Sequence, residues 1–242
     1  MDARLAAAID DNVRWCDLVC RTHGIAGRFD EDAWVSTQRT PPMYPDAITL
    51  RTDVSADALL TRIDPTPGCS IKDSFASVDL SERGFRMLFD GAWISRPAGL
   101  MPAAGRTAGG RQWTQVTEPR DLVAWADHHG GGSTFSADLL DEPSVTILAA
   151  RDPSGRMTDG AIATVGVDAV GISNVFAARG ATSDNAEPAR FEEAFAAATV
   201  AIAAQYPDRA IVGYLSASRL PAARRVEYDL IGPMRVWMLD EP

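Results

Sequence analysis

Between residues 3 and 23, Leu5, Ile9, Val13, Cys16 and Cys20 recur three and four positions apart, which lays one apolar stripe along a helix. Gly24 is a natural stop for it. From Trp34 to Pro45 the chain is a Pro-rich connector, extended because a residue before proline is pushed out of the helical region. Ala47 to Leu50 predicts a short strand, and Ser55 an N-cap for the helix that follows. Phe75–Leu80 and Phe85–Ile94 read as an antiparallel pair with Ser81-Glu82-Arg83-Gly84 as the turn. Residues 97–111 are dominated by Gly, Ala, Pro and Arg and predict a linker.

Beyond the linker the pattern restarts. Trp113–Val116 predicts a strand, and Glu118–His129 a helix with Pro119 in its first turn and Gly130 past its end. Ser136–Asp141 predicts a short helix. Three strands follow, at Val145–Arg151, Gly160–Val167 and Val170–Ala177. An Ala-rich helix at Pro188–Gln205, a strand at Ile211–Leu215, a helix at Leu220–Val226 and a strand at Met234–Leu239 complete the chain. The halves 1–110 and 111–242 echo each other, since each opens with a strand, a short acidic turn and a helix, as a degenerate tandem duplication would.

Composition narrows the function classes. The 242 residues carry a net charge of −10, with a pI near 4.7. An acidic surface repels phosphate backbones, so nucleic acid is not an expected partner. No apolar run reaches the ~18 residues of a membrane span, and the N-terminus has no signal-peptide core. The cytoplasm is the expected compartment. Three cysteines, Cys16, Cys20 and Cys69, form no disulfide framework. Lys72 is the only lysine, which argues against lysine chemistry unless Lys72 itself carries it.

The order of elements from Trp113 onward, and the segments Ala169–Ala177 and Ile211–Trp237 in particular, resemble the GNAT family, the GCN5-related N-acetyltransferases. The resemblance implies a mixed α/β (α+β) fold, a mostly antiparallel sheet flanked by helices, in which the strand before the long helix splays from its neighbour. It implies that the pantetheine arm of acetyl-CoA, as co-substrate, bonds that strand's free edge. By position, Asn174, Val175, Phe176 and Ala177 line the arm, with Phe176 also readable as core. Of the family's Arg/Gln-x-x-Gly-x-Gly/Ala pyrophosphate loop, Arg179 and Gly180 remain. Asp184, Glu187, Glu192 and Glu193 gather at the helix start; they suit its dipole but repel a pyrophosphate. The family's general-acid tyrosine position on the last helix falls here on Ala223 or Arg225, which leaves Tyr228, a turn away and also readable as a packed aromatic, and Tyr214 on the neighbouring strand as candidates. For the base the resemblance points to Asp168, or a water held by Asn174 or Ser173; Asp168 also reads as a hairpin-turn residue.

The implied function is transfer of an acyl group from acyl-CoA to a small-molecule amine. The alternative is a module of the same fold that has lost CoA binding and serves in ligand binding or assembly. A small molecule is the expected partner, and a homodimer is compatible with the reading. Two further clusters have structural explanations. Cys16, Cys20 and His23 share a helix face without an evident fourth metal ligand. His128 and His129 sit where a helix C-terminus favours histidine. Trp34 and the Pro-rich connector are placed to wall a pocket between the halves.

Overall fold

The computed structural model describes residues 1–100, 112–178 and 187–240. Its first half runs α1 (Ala3–Thr22), β1 (Arg28–Phe29), β2 (Ala33–Val35), β3 (Ala47–Thr49), α2 (Ala56–Leu60), β4 (Ser70–Asp73) and β5 (Phe85–Arg96). The second runs β6 (Gln112–Gln115), α3 (Pro119–His129), β7 (Val145–Arg151), β8 (Met157–Val165), β9 (Ala169–Ala177), α4 (Glu187–Gln205), β10 (Ala210–Ser216), α5 (Leu220–Arg225) and β11 (Asp229–Leu239). Two helix boundaries follow from local chemistry: Ser55 Oγ accepts from the Ala58 amide, and Gly130 closes α3 at φ 90°.

All strands join one mixed, mostly antiparallel sheet in the order β1-β2-β3-β4-β11-β5-β10-β9-β8-β7-β6. The order is nearly symmetric about the β5–β11 ladder. Outward on one side lie β4, β3, β2 and β1; on the other lie β10, β9, β8 and β7, with β6 beyond. On each side a three-strand meander is followed by one parallel pair joined through a helix, β3–α2–β4 and β9–α4–β10. The last strand of each half lies inside the other. β5 sits between β10 and β11, and β11 sits between β4 and β5.

Strand alternation sends neighbours to opposite faces. Trp93 and Ile94 show it: Trp93 joins Ala8 and Ile9 of α1, and Ile94 joins Phe195 of α4 and Ala223 of α5. Helices α1 and α3 cover one face, while α2, α4 and α5 cover the other. Trp93 is fully buried and its indole N–H donates to Ser74 O at 2.7 Å. Burying such a side chain stabilises the fold by roughly 1.5–3 kcal/mol. No helix among the described residues is long and apolar enough to cross a membrane.

Three local expectations change. Trp34 belongs to β2, not to an irregular connector. The first-half strand is Ser70–Asp73, and Phe75–Leu80 is a loop. The reason lies in Asp73, whose carboxylate accepts from the Phe75 and Val78 amides at 3.1 and 2.7 Å, with Ala76 at φ 52° between them. Those bonds curl the segment back over the end of β4. Finally, Phe85–Ile94 pairs with β10 and β11 rather than with Phe75–Leu80.

Candidate functional site

β9 and β10 pair only from Ala169↔Ala210 to Gly171↔Val212. Beyond that, β10 stays on β5 from Gly213↔Ile94 to Ser216↔Gly91, and β9 stays on β8. The two strands part and leave a V-shaped wedge. A bulge in β9 drives the divergence: Gly160 opposes Phe176 while Ile162 opposes Ser173, so one extra residue is taken up on β9. Such a bulge bends its strand and increases its twist. Asn174 lies within it at φ 52°, a conformation asparagine tolerates better than most side chains. The hinge needs glycine. A Cβ on Gly171 would come 1.9 Å from Asp11 Oδ2, and one on Gly213 would come 2.6 Å from Ile172 O.

The wedge opens into a cavity of about 400 Å³ whose wall comes from both halves. Asp11, Asn12, Trp15 and Cys16 enter from α1, Tyr44 from the Pro-rich connector and Lys72 from β4. Ser173, Asn174 and Val175 of β9 face Tyr214 of β10, and Phe191 and Phe195 of α4 supply an apolar side.

Several polar groups are held there at a cost. Asp11 is 9% exposed and accepts from Thr164 Oγ1 at 2.7 Å. Burial pushes its carboxyl up to about 7, against the pull of that hydrogen bond. Lys72 donates to Asn12 Oδ1 at 2.7 Å, and its ammonium lies 4.2 Å from the Tyr214 ring centroid. The Tyr44 hydroxyl is buried and makes no hydrogen bond of normal geometry, and burial holds its pKa well above the usual tyrosine range against the weaker pull of Trp15 and Asn174. His129 stacks on Trp125 at 5.3 Å, and burial, helped by Arg219, holds its imidazole down at about 4. Arg219 lies 4.1 Å over the Phe191 ring and pairs with Glu187 at 3.1 Å. Glu192 pairs with Arg225. Two of the carboxylates at the start of α4 are thus matched by arginines.

The positions read from sequence separate clearly. Asn174, Val175 and Tyr214 line the cavity. Phe176 packs into the core against Trp125 and His129, at 5.1 and 5.8 Å, and neither it nor Ala177 lines the cavity. Asp168 is exposed in the β8–β9 turn, at the closed end of the wedge. Tyr228 is 5% exposed, its hydroxyl 3.2 Å from Thr199 Oγ1, and burial pushes its pKa up. Arg179 and Gly180 lie outside the described residues. Trp34 is buried in the core with its indole N–H on Asp17, and Trp15 takes the wall position instead. Cys16 and Cys20 are buried free thiols that burial keeps protonated, Cys20 at about 12, and His23 Nε2 lies 3.0 Å from Thr134 O. No group of three or more metal-ligating side chains occurs among the described residues.

A structure of a GCN5-related N-acetyltransferase from Kribbella flavida superposes with a TM-score of 0.64 over 98% of this chain and 96% of that one, at 13% identity. The chain has the GNAT fold. A functionally unknown conserved protein from Staphylococcus epidermidis matches with a TM-score of 0.56 over 88% and 93% of the two chains, at 10% identity. A GCN5-related glucosamine N-acetyltransferase region of a fungal multi-domain β-N-acetylglucosaminidase matches with a TM-score of 0.52 over 85% of this chain and 31% of that one, at 15% identity. No family model matches the chain, and no curated protein matches it in sequence.

Within this GNAT fold, the cavity residues that sequence reading missed include Asp11, Asn12 and Arg219, whereas the Pro-rich connector does wall the cavity, through Met43, Tyr44 and Pro45. Asp11 carried one usable signal. It shares a helix flank with Ala7, Ala8, Trp15 and Leu18, three, four and seven positions away, where a solvated face would not place it.

Proposed function

We propose that the chain transfers an acyl group from acyl-CoA to the amine of a small molecule in the β9–β10 wedge. The observation that carries this reading is the wedge itself: β9 leaves β10 after Gly171, and Ser173–Val175 then face a cavity. A strand edge freed in this way can take an extended amide-bearing ligand such as a pantetheine arm. The residues present suit that substrate. Val175, Phe191 and Phe195 offer apolar contact, and Arg219 and Arg225 offset two acids at the helix start.

Asp11, ionised, takes a proton from the acceptor ammonium; the freed amine attacks the thioester carbonyl carbon. The C–N bond forms, the C–S bond breaks, and the leaving thiolate takes its proton from the Tyr214 hydroxyl. Tyr214 regains a proton from the amine nitrogen, which sheds its second one as the amide forms. Asp11 has a pKa near the working range, where a general base is most effective. Positioning supplies much of the remaining acceleration.

Calorimetric titration with acetyl-CoA tests the reading. Saturable binding that is lost when Val175→Trp fills the wedge is the expected result. No binding at millimolar acetyl-CoA to a folded wild-type protein sinks it.

A further inference from the structure

Lys72 is the single lysine of the chain, is 3% exposed, and lines the wedge cavity from β4 of the opposite half. An ammonium has three donors. One meets Asn12 Oδ1 and the Tyr214 ring takes part of the charge; each partner is neutral. No carboxylate among the described residues pairs with it. Asp11, which lines the same cavity, holds Thr164 Oγ1, and the next residue in β4, Asp73, is occupied by Thr49 Oγ1 and two amides. A buried cation without a counter-ion is costly, and proteins retain one where a ligand brings the opposite charge. A second atom points the same way: the Tyr44 hydroxyl, 6% exposed as a residue, lines this cavity and makes no hydrogen bond of normal geometry, only looser contact with Trp15 and Asn174.

We propose that Lys72 and Tyr44 form the carboxylate subsite of the acceptor, which is a short amino carboxylate such as an α-amino acid. One lysine with a hydroxyl matches a monoanion. A phosphate dianion would call for a second free cation, and Arg219 is engaged with Glu187. The size of the acceptor follows from the cavity: Lys72, steadied by Asn12, and Asp11, the proposed base, line one space of about 400 Å³, which suits a short amino carboxylate. The identity of the amine end rests on the acyl-transfer reading; the carboxylate subsite does not.

The lone lysine makes a direct test available. Protein labelled with carbon-13 at lysine Cε gives one side-chain resonance, that of Lys72. It is titrated with the protein amino acids and, separately, with the amines left by removing their carboxylates. At least one amino acid moves the resonance saturably while its decarboxylated partner does not, and Tyr44→Phe weakens that binding about fivefold, the worth of one hydrogen bond. A resonance unmoved by every amino acid at tens of millimolar overturns the subsite, as does one moved equally by the decarboxylated amines. Acetyl-CoA is titrated independently. Amino-acid binding without acetyl-CoA binding upholds the subsite and sinks acyl transfer, and the converse sinks the subsite alone.

Discussion

In the N-terminal half β3 and β4 run parallel through α2, and in the C-terminal half β9 and β10 run parallel through α4. The first pair separates after Ile48↔Lys72 and is at once filled by side chains. Asp73, fully buried, accepts from Thr49 Oγ1, Phe75 N–H and Val78 N–H and stitches the mouth shut. The second pair separates after Gly171↔Val212 and meets Gly213, which has no side chain to close it. Their crossover helices differ as well: α2 has 5 residues and α4 has 19, enough to set Phe191 and Phe195 along the opening. The same strand–helix–strand unit is thus either a plug or an open wedge, according to the residue at its mouth and the helix over it. The plugged half is still part of the site, because strand exchange brings Lys72 and α1 to the open wedge.

The largest expected effect comes from opening the plug. Asp73→Ala strands a buried hydroxyl and two amides and should lower stability by about 3–5 kcal/mol in urea unfolding. Because β5 and β11 are exchanged, the loss should appear as one cooperative transition. Two separate transitions would show that the halves unfold independently and would break the comparison.

Asp11→Asn probes the open wedge. The folded-state pKa of Asp11 is raised from 3.8 to about 7, so the folded state keeps a proton that the unfolded chain releases. Stability therefore falls as pH rises from about 4 through about 7, and the ionised carboxylate is a cost above that. Removing it should stabilise the protein at pH 8 by a few kcal/mol, with a ceiling of about 4 from ~1.4 kcal/mol per pKa unit. If acyl transfer is the activity, the same change should lower turnover at least about a hundredfold and abolish an inflection near pH 7. Stability curves of wild type and variant that superpose across this pH range would remove Asp11 from the wedge chemistry.

Two smaller changes sharpen the account of how the strands part. Gly171→Ala places a methyl group against Asp11 Oδ2 at the hinge and should cost about 1–3 kcal/mol, read as a lowered urea midpoint. Asn174→Ala should cost about 1 kcal/mol because alanine is strained at positive φ, while Asn174→Gly should be neutral. Equal effects of the two Asn174 variants would show that the bulge does not depend on that backbone conformation.

Much of the scaffold was legible locally. The apolar stripe of α1, the Pro119 and Gly130 boundaries of α3, and the largely apolar runs of β7 to β9 are short-range signals, and each element stands within a few residues of where the pattern predicts it. β4 was not legible, since Ser-Ile-Lys-Asp has one apolar residue and becomes a strand by pairing with β11. The site divides the same way. Asn174, Val175 and Tyr214 could be placed from element order, because the wedge is a property of one strand–helix–strand unit. Asn12 and Lys72 are 60 positions apart, and Asp11 and Thr164 are 153 apart, with no local pattern to join them.

The sequence by itself determined the order of helices and strands from Trp113 onward, including the strand–helix–strand unit that forms the wedge, since periodicity, capping and turn chemistry act over a few residues. Tertiary structure decided which crossover opens, that each half completes the other's sheet, and that a lone lysine from the closed half faces the open wedge. Those outcomes depend on the long-range pairing of β5 with β11. Strand pairing is satisfied by backbone groups that every residue carries, so no side-chain pattern announces its partner.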